Sequence, residues 1–111
     1  INVLGDVSPA ANPGYVEFTI KGQKQKLEAL EEGDRFFFNF LDRTNGIDTY
    51  AGGRFLYADR PINRRIVLDF NRAYSPPCAY TDYATCPLPP RANRLEVAIS
   101  AGEKDPNVLS H

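Results

Sequence analysis

The sequence contains no methionine, only two cysteines, and a single histidine, His111, at its last position. A histidine on a terminal tail is a poor catalytic base, and no serine lies in a nucleophile-elbow pattern. No apolar run approaches the ~20 residues that a membrane-spanning helix needs, so we expect no membrane span. At 111 residues, the chain is expected to form a single β-rich domain. Because it starts at Ile1 and lacks methionine, we also expect it to be a fragment of a longer protein.

Charge is distributed unevenly along a chain whose net charge is only −1. Residues 51–94 carry seven arginines and three aspartates, a net charge of +4, whereas residues 1–50 have a net charge of −3. Arginine is the side chain suited to forked pairing with carboxylate or phosphate. Surface charge with internal ion pairs would explain this segregation, and an anion-binding face is the alternative. The acidic overall balance and the lack of a recognisable motif argue against a nucleic-acid partner.

Alternating apolar residues and turn signals predict six strands and no helix. The second strand also suits a short helix, but the run is short and uncapped, which favours a strand. The third is rich in phenylalanine and is expected to be buried on both faces or to lie beneath a covering loop. The predicted strands are Tyr15–Ile20, Gln25–Leu30, Arg35–Leu41, Arg54–Tyr57, Arg65–Phe70 and Arg94–Ser100, the last with Leu95, Val97 and Ile99 on one face. This pattern predicts a mostly β fold, a small antiparallel β-barrel or sandwich, with residues 102–111 as a tail.

A long proline-rich segment, residues 69–91, interrupts the strand pattern. It contains five prolines, two cysteines and three tyrosines. Prolines at this density exclude a helix or a central strand. The aromatic and cysteine content argues against a disordered linker. We therefore expect a rigid ordered loop, and long ordered loops on small scaffolds often carry function.

Several long motifs resemble one known family. They are Thr49-Tyr50-Ala51-Gly52-Gly53-Arg54-Phe55-Leu56, Leu68-Asp69-Phe70-Asn71-Arg72-Ala73-Tyr74, Pro76-Pro77-Cys78-Ala79-Tyr80, Ala84-Thr85-Cys86-Pro87-Leu88-Pro89-Pro90, Asn93-Arg94-Leu95 and Ala101-Gly102-Glu103-Lys104. Together they are similar to the C-terminal part of the DUF1684 family of bacterial and archaeal proteins, over residues 14–104. Ser75 stands where the family pattern has asparagine. The resemblance implies little about function, because the family is named for having none assigned, and its members look both exported and cytoplasmic.

Cys78 and Cys86 allow three interpretations. A disulfide would close a short loop and stabilise the fold by about 2.5 kcal/mol in the chain-entropy model. Two packed free thiols are the second alternative, since buried cysteine behaves as a small hydrophobe. A metal pair is the third, but zinc would need two further ligands and the spacing matches no CxxC motif, so we predict no metal site. A bridge would favour an exported protein over a cytoplasmic one.

The end of the Arg65–Phe70 strand gathers polar residues where it enters the proline-rich loop. Strand alternation would place Asp69 and Asn71 on one face and Arg72 on the other. These side chains would either satisfy backbone groups of the loop or form a site, with Asp69 as general base or ligand and Arg54 or Arg72 as an anion clamp. Gly52-Gly53 lacks the spacing of a phosphate-binding loop. The candidate ligand-binding residues are Arg54, Asp69, Asn71, Arg72, Tyr74 and Glu103.

These observations predict a binding or structural module in which an arginine-lined pocket for a small anion lies beside the proline-cysteine loop. The alternative is an enzyme or cofactor-binding domain that acts on a small organic anion through Arg54, Asp69, Arg72 and Glu103. A third expectation is assembly, because an exposed strand edge could pair with another copy or with a missing N-terminal portion. The sequence indicates no particular cofactor.

Overall fold

The computed structural model describes residues 2–7, 14–47, 49–81, 86 and 89–104. Its strands are β1 (Asn2–Val7), β2 (Tyr15–Ile20), β3 (Gln23–Glu28), β4 (Leu30–Glu32), β5 (Arg35–Phe40), β6 (Arg54–Asp59) and β7 (Arg65–Asp69). Three-residue 3-10 helices occupy Phe70–Arg72, Pro77–Ala79 and Arg91–Asn93. No helix within these residues has the length and apolar character required to cross a membrane.

The strands form two antiparallel sheets. One has the order β3-β2-β1-β7 and the other the order β4-β5-β6. This arrangement confirms the predicted mostly β, antiparallel fold and corresponds to its sandwich alternative. Within the described residues the sheets do not close into a barrel, because no ladder joins β6 to β7 although the two strands are consecutive in the chain.

The β2–β3 hairpin resolves the ambiguity over residues 25–30 in favour of a strand. Lys21 and Gly22 both have positive φ, 52° and 76°, which gives a tight turn whose twist matches that of the flanking strands. The turn fixes the register that pairs Ile20 with Gln23. Leu27 is then fully buried while its neighbours Lys26 and Glu28 are exposed, a period of two that belongs to a strand.

Aromatic side chains join the two sheets in the core. Phe40 of β5 and Phe18 of β2 both contact Phe70, with ring centroids 5.7 and 5.8 Å apart respectively. Phe37 points away from this core but is only 9% exposed, since Phe55 covers it edge-on at 5.0 Å. The prediction that this strand is buried on both faces is therefore confirmed. Burying each phenylalanine contributes roughly 1.5–3 kcal/mol of hydrophobic free energy.

Two predictions of secondary structure were wrong. Residues 2–7 form a strand that the pattern did not indicate, because Gly5 interrupts its alternation. Residues 94–100 form no regular strand, although Leu95, Val97 and Ile99 are buried as predicted. Their backbone groups form hydrogen bonds with separate partners and not with one neighbouring strand. Leu95 N–H donates to the Leu41 carbonyl at 2.8 Å, and Ile99 N–H donates to the Asp42 carboxylate at 2.8 Å.

Asn93 attaches this irregular segment to both sheets. Its side-chain amide donates to the carbonyls of Glu28 at 3.0 Å and Asn39 at 2.9 Å, and its side-chain oxygen accepts from Glu28 N–H at 2.5 Å. The residue is 1% exposed. An amide that satisfies three backbone bonds in the interior explains why the Asn93-Arg94-Leu95 motif begins with asparagine.

Candidate functional site

An open groove of about 670 Å³ lies between β6 and β7, where the two sheets separate. Four arginines line it: Arg35 from β5, Arg60 from the β6–β7 connection, Arg65 from β7 and Arg72 from the following 3-10 helix. Asp59 and Asp69 are the lining carboxylates. Four guanidinium groups against two carboxylates leave the groove with an excess of positive charge. Its volume falls within the range of small-ligand pockets.

Arg72 enters the groove because β7 ends at Asp69. The Asp69 carboxylate accepts a hydrogen bond from the Asn71 N–H at 3.1 Å and so caps the 3-10 helix Phe70–Arg72. This helix ends the strand alternation after Asp69, so the predicted two-face arrangement of Asp69, Asn71 and Arg72 does not form. Asn71 is exposed and does not line the groove, whereas Arg72 does.

The ion pair between Arg72 and Asp69 is loose. The Arg72 Nε lies 3.8 Å from the Asp69 Oδ2, and the arginine side chain is 78% exposed. Exposed pairs of this kind contribute little to stability, typically below ~1 kcal/mol. Asp69 therefore holds the guanidinium of Arg72 only weakly.

One wall of the groove is aromatic. Tyr57 and Tyr74 stack with an interplanar angle of 14° and a centroid separation of 6.4 Å, and Arg35 lies over the Tyr57 ring at 4.1 Å. Burial, followed by the hydrogen bond that Tyr57 donates to Glu32 at 2.9 Å, raises the pKa of Tyr57 to about 12. Burial likewise raises the pKa of Tyr74. Both phenols are thus neutral at neutral pH and do not repel an anion.

Arg54, one of the predicted ligand-binding residues, lies elsewhere. Its side chain is fully buried and does not line the groove. The Nη2 donates to Asp42 Oδ2 at 3.2 Å and to the Ile99 carbonyl at 2.9 Å, and the Nη1 donates to the Ala101 carbonyl at 2.6 Å. Burial lowers the pKa of Arg54, and the adjacent Asp42 carboxylate opposes that shift. Arg54 thus holds residues 99–101 against the sheet.

Asp42 completes this buried cluster. Its Oδ1 accepts from the N–H and hydroxyl of Thr44 at 3.1 and 2.6 Å, and its Oδ2 accepts from Ile99 N–H as well as from Arg54. The Thr44 hydroxyl in turn contacts that of Thr49 at 2.9 Å. Sequence reasoning missed Asp42, since no periodicity or motif distinguishes it from a surface aspartate after a strand.

Glu103 also lies outside the groove and accepts hydrogen bonds from the proline-rich loop. Its Oε1 accepts from the Ser75 N–H at 3.0 Å and from the Tyr80 hydroxyl. Burial pushes the pKa of Glu103 upward, but the hydrogen bonds from Tyr80 and Ser75 outweigh that effect and leave the pKa below its usual value. The bond to the carboxylate is the main reason that the pKa of Tyr80 is raised.

Gly102 allows this attachment to form. It has a φ of +88°, and a Cβ at this position would lie 2.7 Å from the Phe70 carbonyl and 2.9 Å from the Arg54 Nη1. Only glycine combines that backbone conformation with so close an approach. Each of these three residues therefore has its own role. The Ala101 carbonyl accepts from Arg54, Gly102 makes a close backbone contact, and the Glu103 carboxylate accepts hydrogen bonds from the loop.

Cys78 and Cys86 are paired as a disulfide, with their Cα atoms 6.2 Å apart. This is the first of the three alternatives that the sequence allowed. Among the described residues no group of three or more histidine, cysteine, aspartate or glutamate side chains could hold a metal ion. Tyr83 and most residues between the two cysteines lie outside the described part of the chain.

The structure thus separates the predicted site residues, and Asn71 belongs to neither of the two sets that it forms. Asp69, Arg72 and Tyr74 line the groove, whereas Arg54 and Glu103 hold the chain segment that follows residue 98. Sequence reasoning did not single out Arg35, Arg60 and Arg65. The excess of arginine in residues 51–94 was a signal for the last two, but Arg35 lies outside that segment and reaches the groove only through the β5–β6 pairing.

Comparison with known proteins identifies the family of this chain. A search of curated proteins found no match to this chain. The solution NMR structure of an uncharacterized protein from gene locus rrnAC0354 of Haloarcula marismortui is 33% identical, with a TM-score of 0.78 over 93% of this chain and 70% of that one. The model of the DUF1684 family, proteins of unknown function, matches residues 2–104. This chain belongs to the DUF1684 family.

Proposed function

We propose that this protein is a binding module for a small organic or inorganic anion, held in the groove between β6 and β7. The observation that carries the proposal is the convergence of Arg35, Arg60, Arg65 and Arg72, from four different parts of the chain, on one open groove. Guanidinium groups bind carboxylate and phosphate through paired hydrogen bonds.

The two lining aspartates offset part of the positive charge of the groove. Asp69 caps the helix that carries Arg72, and Asp59 lies across from Arg35 in the β5–β6 pair. An anion would replace the loose Asp69 contact of Arg72 and approach Arg35, which lies over the Tyr57 ring. The stacked Tyr57 and Tyr74 rings offer an apolar surface beside this position, which suits a ligand that carries a carboxylate or phosphate on a flat or apolar body.

Binding is favoured over catalysis by the way the site residues are divided. The enzyme alternative required Arg54, Asp69, Arg72 and Glu103 to surround one substrate. Only Asp69 and Arg72 line the groove, while the Arg54 side chain has no exposed surface and the Glu103 carboxylate accepts from Ser75 and Tyr80. No nucleophile with an adjacent base is present among the lining residues.

Thermal unfolding in the presence of phosphate, citrate and benzoate tests this proposal. A ligand at 100 times its dissociation constant should add ~2.7 kcal/mol to the free energy of unfolding. Arg72→Gln and Arg35→Gln should each abolish most of that gain. Arg91→Gln is the matched control, because it removes the same charge from an exposed arginine that does not line the groove.

Two results would contradict the proposal. One is the lack of any stabilisation by all three anions at low ionic strength, where electrostatic binding is strongest. The other is an equal loss of stabilisation in Arg91→Gln and Arg72→Gln, because that would show a response to net charge rather than to a site.

A further inference from the structure

We infer that the ligand of the groove is an amphiphilic acid, a free carboxylic acid with an aliphatic chain of about eight to ten carbons. Its carboxylate would pair with Arg72 and Arg35, and its chain would lie on aliphatic side chains of β1 and β7. This inference rests on the proposed anion-binding function, because it uses the same groove. It narrows the ligand from any small anion to one chemical class.

The groove is larger than a simple anion requires. Its volume is about 670 Å³, in the middle of the range that drug-sized ligands occupy, roughly 300–1,000 Å³. Phosphate or acetate held by Arg72 would leave most of this volume to water. A ligand that fills the groove therefore has a body much larger than its anionic group, and the remaining lining determines the chemistry of that body.

An aliphatic surface lies beside the anion position. Val67 of β7 and Leu4 of β1 are direct partners in the β1–β7 ladder, so their side chains project from the same face of the sheet. They are 55% and 52% exposed, and both line the groove. Ile62, in the connection between β6 and β7, also lines it and is 76% exposed. A ligand chain that covers these side chains would remove apolar surface from water on both partners.

The order of side chains along β7 matches an acid that carries a chain. Asp69, whose contact with Arg72 is loose, and Val67 lie on the same face, about 7 Å apart along the strand. The same face continues to Arg65, roughly 13 Å from Asp69. Ile62 exchanges two backbone hydrogen bonds with Arg65 and extends the aliphatic surface at that end. An extended chain advances about 1.2 Å per bond, so about ten carbons cover this length.

The aromatic wall of the groove favours an aliphatic body over a flat ring. Arg35 lies 4.1 Å from the centre of the Tyr57 ring. The same ring contacts those of Phe37 and Tyr74, with centroids 4.9 and 6.4 Å away. These contacts occupy ring surface that a flat ligand would need for stacking. The aliphatic side chains of β1 and β7 are the more exposed apolar part of the lining.

The charged lining suits one carboxylate rather than several. Arg60 donates to a backbone carbonyl of the β4–β5 turn at 3.2 Å, and both Arg60 and Arg65 have further interactions within the chain. The anion position is therefore assembled from Arg72 and Arg35. The two lining aspartates would repel any additional negative charge on the ligand.

A homologous series of acids tests the inference on the intact protein. Acetate, hexanoate, octanoate, decanoate and dodecanoate should be titrated below their micelle-forming concentrations, with dissociation constants taken from two-dimensional NMR spectra. Each methylene should tighten binding about 2-fold, half of the free energy of complete burial, because one side of the groove is open. Decanoate should therefore bind about 16-fold more tightly than hexanoate, and the gain should level off beyond about ten carbons.

Matched variants locate the bound chain. Leu4→Thr combined with Val67→Thr removes aliphatic surface but keeps side chains that favour strands. This double variant should reduce the decanoate-to-hexanoate ratio from about 16-fold to about 4-fold or less and leave the response to phosphate unchanged. Leu30→Thr is the control, because Leu30 has the same 52% exposure but does not line the groove. Arg72→Gln should weaken the binding of every acid by the same factor.

Decanol and decyltrimethylammonium keep the test decisive if the double variant does not fold. Both carry the decyl chain without a carboxylate, so both should bind at least ~10-fold more weakly than decanoate. Nuclear Overhauser effects between the decanoate methylenes and the Val67 methyl groups would give the position of the chain directly.

The outcomes separate the inference from the function beneath it. If phosphate or acetate binds but a longer chain brings no gain, the amphiphile inference is wrong and the anion site stands. A gain that Leu30→Thr reduces as much as the double variant does, or that decanol shows equally, would also overturn it. Binding to phosphatidylglycerol vesicles without binding of the dissolved acids would assign the surface to a membrane and overturn it as well. If no anion binds, with or without a chain, both proposals fail.

Discussion

Replacing Arg54 by methionine should destabilise the protein more than any substitution in the groove. Among the described residues Arg54 is the largest fully buried side chain, and its guanidinium is hydrogen-bonded to one carboxylate and to the carbonyls of Ile99 and Ala101. Methionine fills a similar volume but donates nothing. The substitution leaves a buried Asp42 carboxylate without its counter-charge, a situation that typically costs about 3–5 kcal/mol.

This magnitude is large compared with the stability of a small domain. A domain of this size has a free energy of unfolding of roughly 5–15 kcal/mol, so the loss would be at least a fifth of the total and nearly all of it at the lower end of that range. At about 4 °C per kcal/mol, the melting temperature should fall by roughly 12–20 °C. Urea unfolding followed by circular dichroism gives the free energy directly, and Arg91→Gln should change it by less than about 0.5 kcal/mol as the exposed control.

Two further variants distinguish charge compensation from simple packing. Arg54→Lys keeps the charge but cannot match the forked geometry toward three acceptors, so it should lose part of the same free energy. Asp42→Ala combined with Arg54→Met should cost less than the sum of the two single changes, because the contacting groups are coupled. A loss below about 1 kcal/mol in Arg54→Met, or strict additivity in the pair, would refute the argument that this ion pair anchors residues 99–101.

Two more predictions concern the proline-rich loop. Replacing Cys78 and Cys86 by alanine should lower the free energy of unfolding by about 2.5 kcal/mol in urea, as expected for the loss of a short cross-link, and a difference within experimental error would contradict that. Glu103→Gln should destabilise the protein at neutral pH but progressively less as the pH falls below ~4.5. The pKa of Glu103 is lowered in the folded state, so its stabilisation is present above the unfolded-state pKa and is lost on protonation. An unchanged difference between Glu103→Gln and wild type from pH 7 to pH 3 would show that the carboxylate charge is not what holds the loop.

Local pattern predicted much of the fold because strand alternation reflects burial residue by residue. Tyr15–Ile20 was predicted with its observed bounds, and the phenylalanine-rich strand after Gly33 was predicted with its burial on both faces. The predicted strand Arg94–Ser100 has the right buried residues but the wrong backbone. Burial alternates there because Asn93 and Asp42 tie the segment down at separate points, and no single-sequence pattern distinguishes such anchoring from a ladder.

The site was harder to predict, because the role of an arginine depends on partners far away in the sequence. Arg54 and Arg72 look equivalent as members of conspicuous motifs. Yet the carbonyl acceptors of Arg54 at Ile99 and Ala101 lie 45 and 47 residues further along the chain, and its counter-ion Asp42 carries no local signal. Local sequence could therefore indicate that arginines gather between residues 51 and 94, but not which of them are buried in ion pairs and which face a groove.

The end of β7 supplies part of the chemistry of the groove. The Asp69 carboxylate caps the 3-10 helix that follows β7, and this helix carries Arg72 to the rim of the groove. Where the chain returns, Tyr74 exchanges two backbone hydrogen bonds with Phe55 of β6. Within the described residues no ladder joins β6 to β7 itself, so the arginine-lined groove lies between two strands that are consecutive in the chain but belong to different sheets.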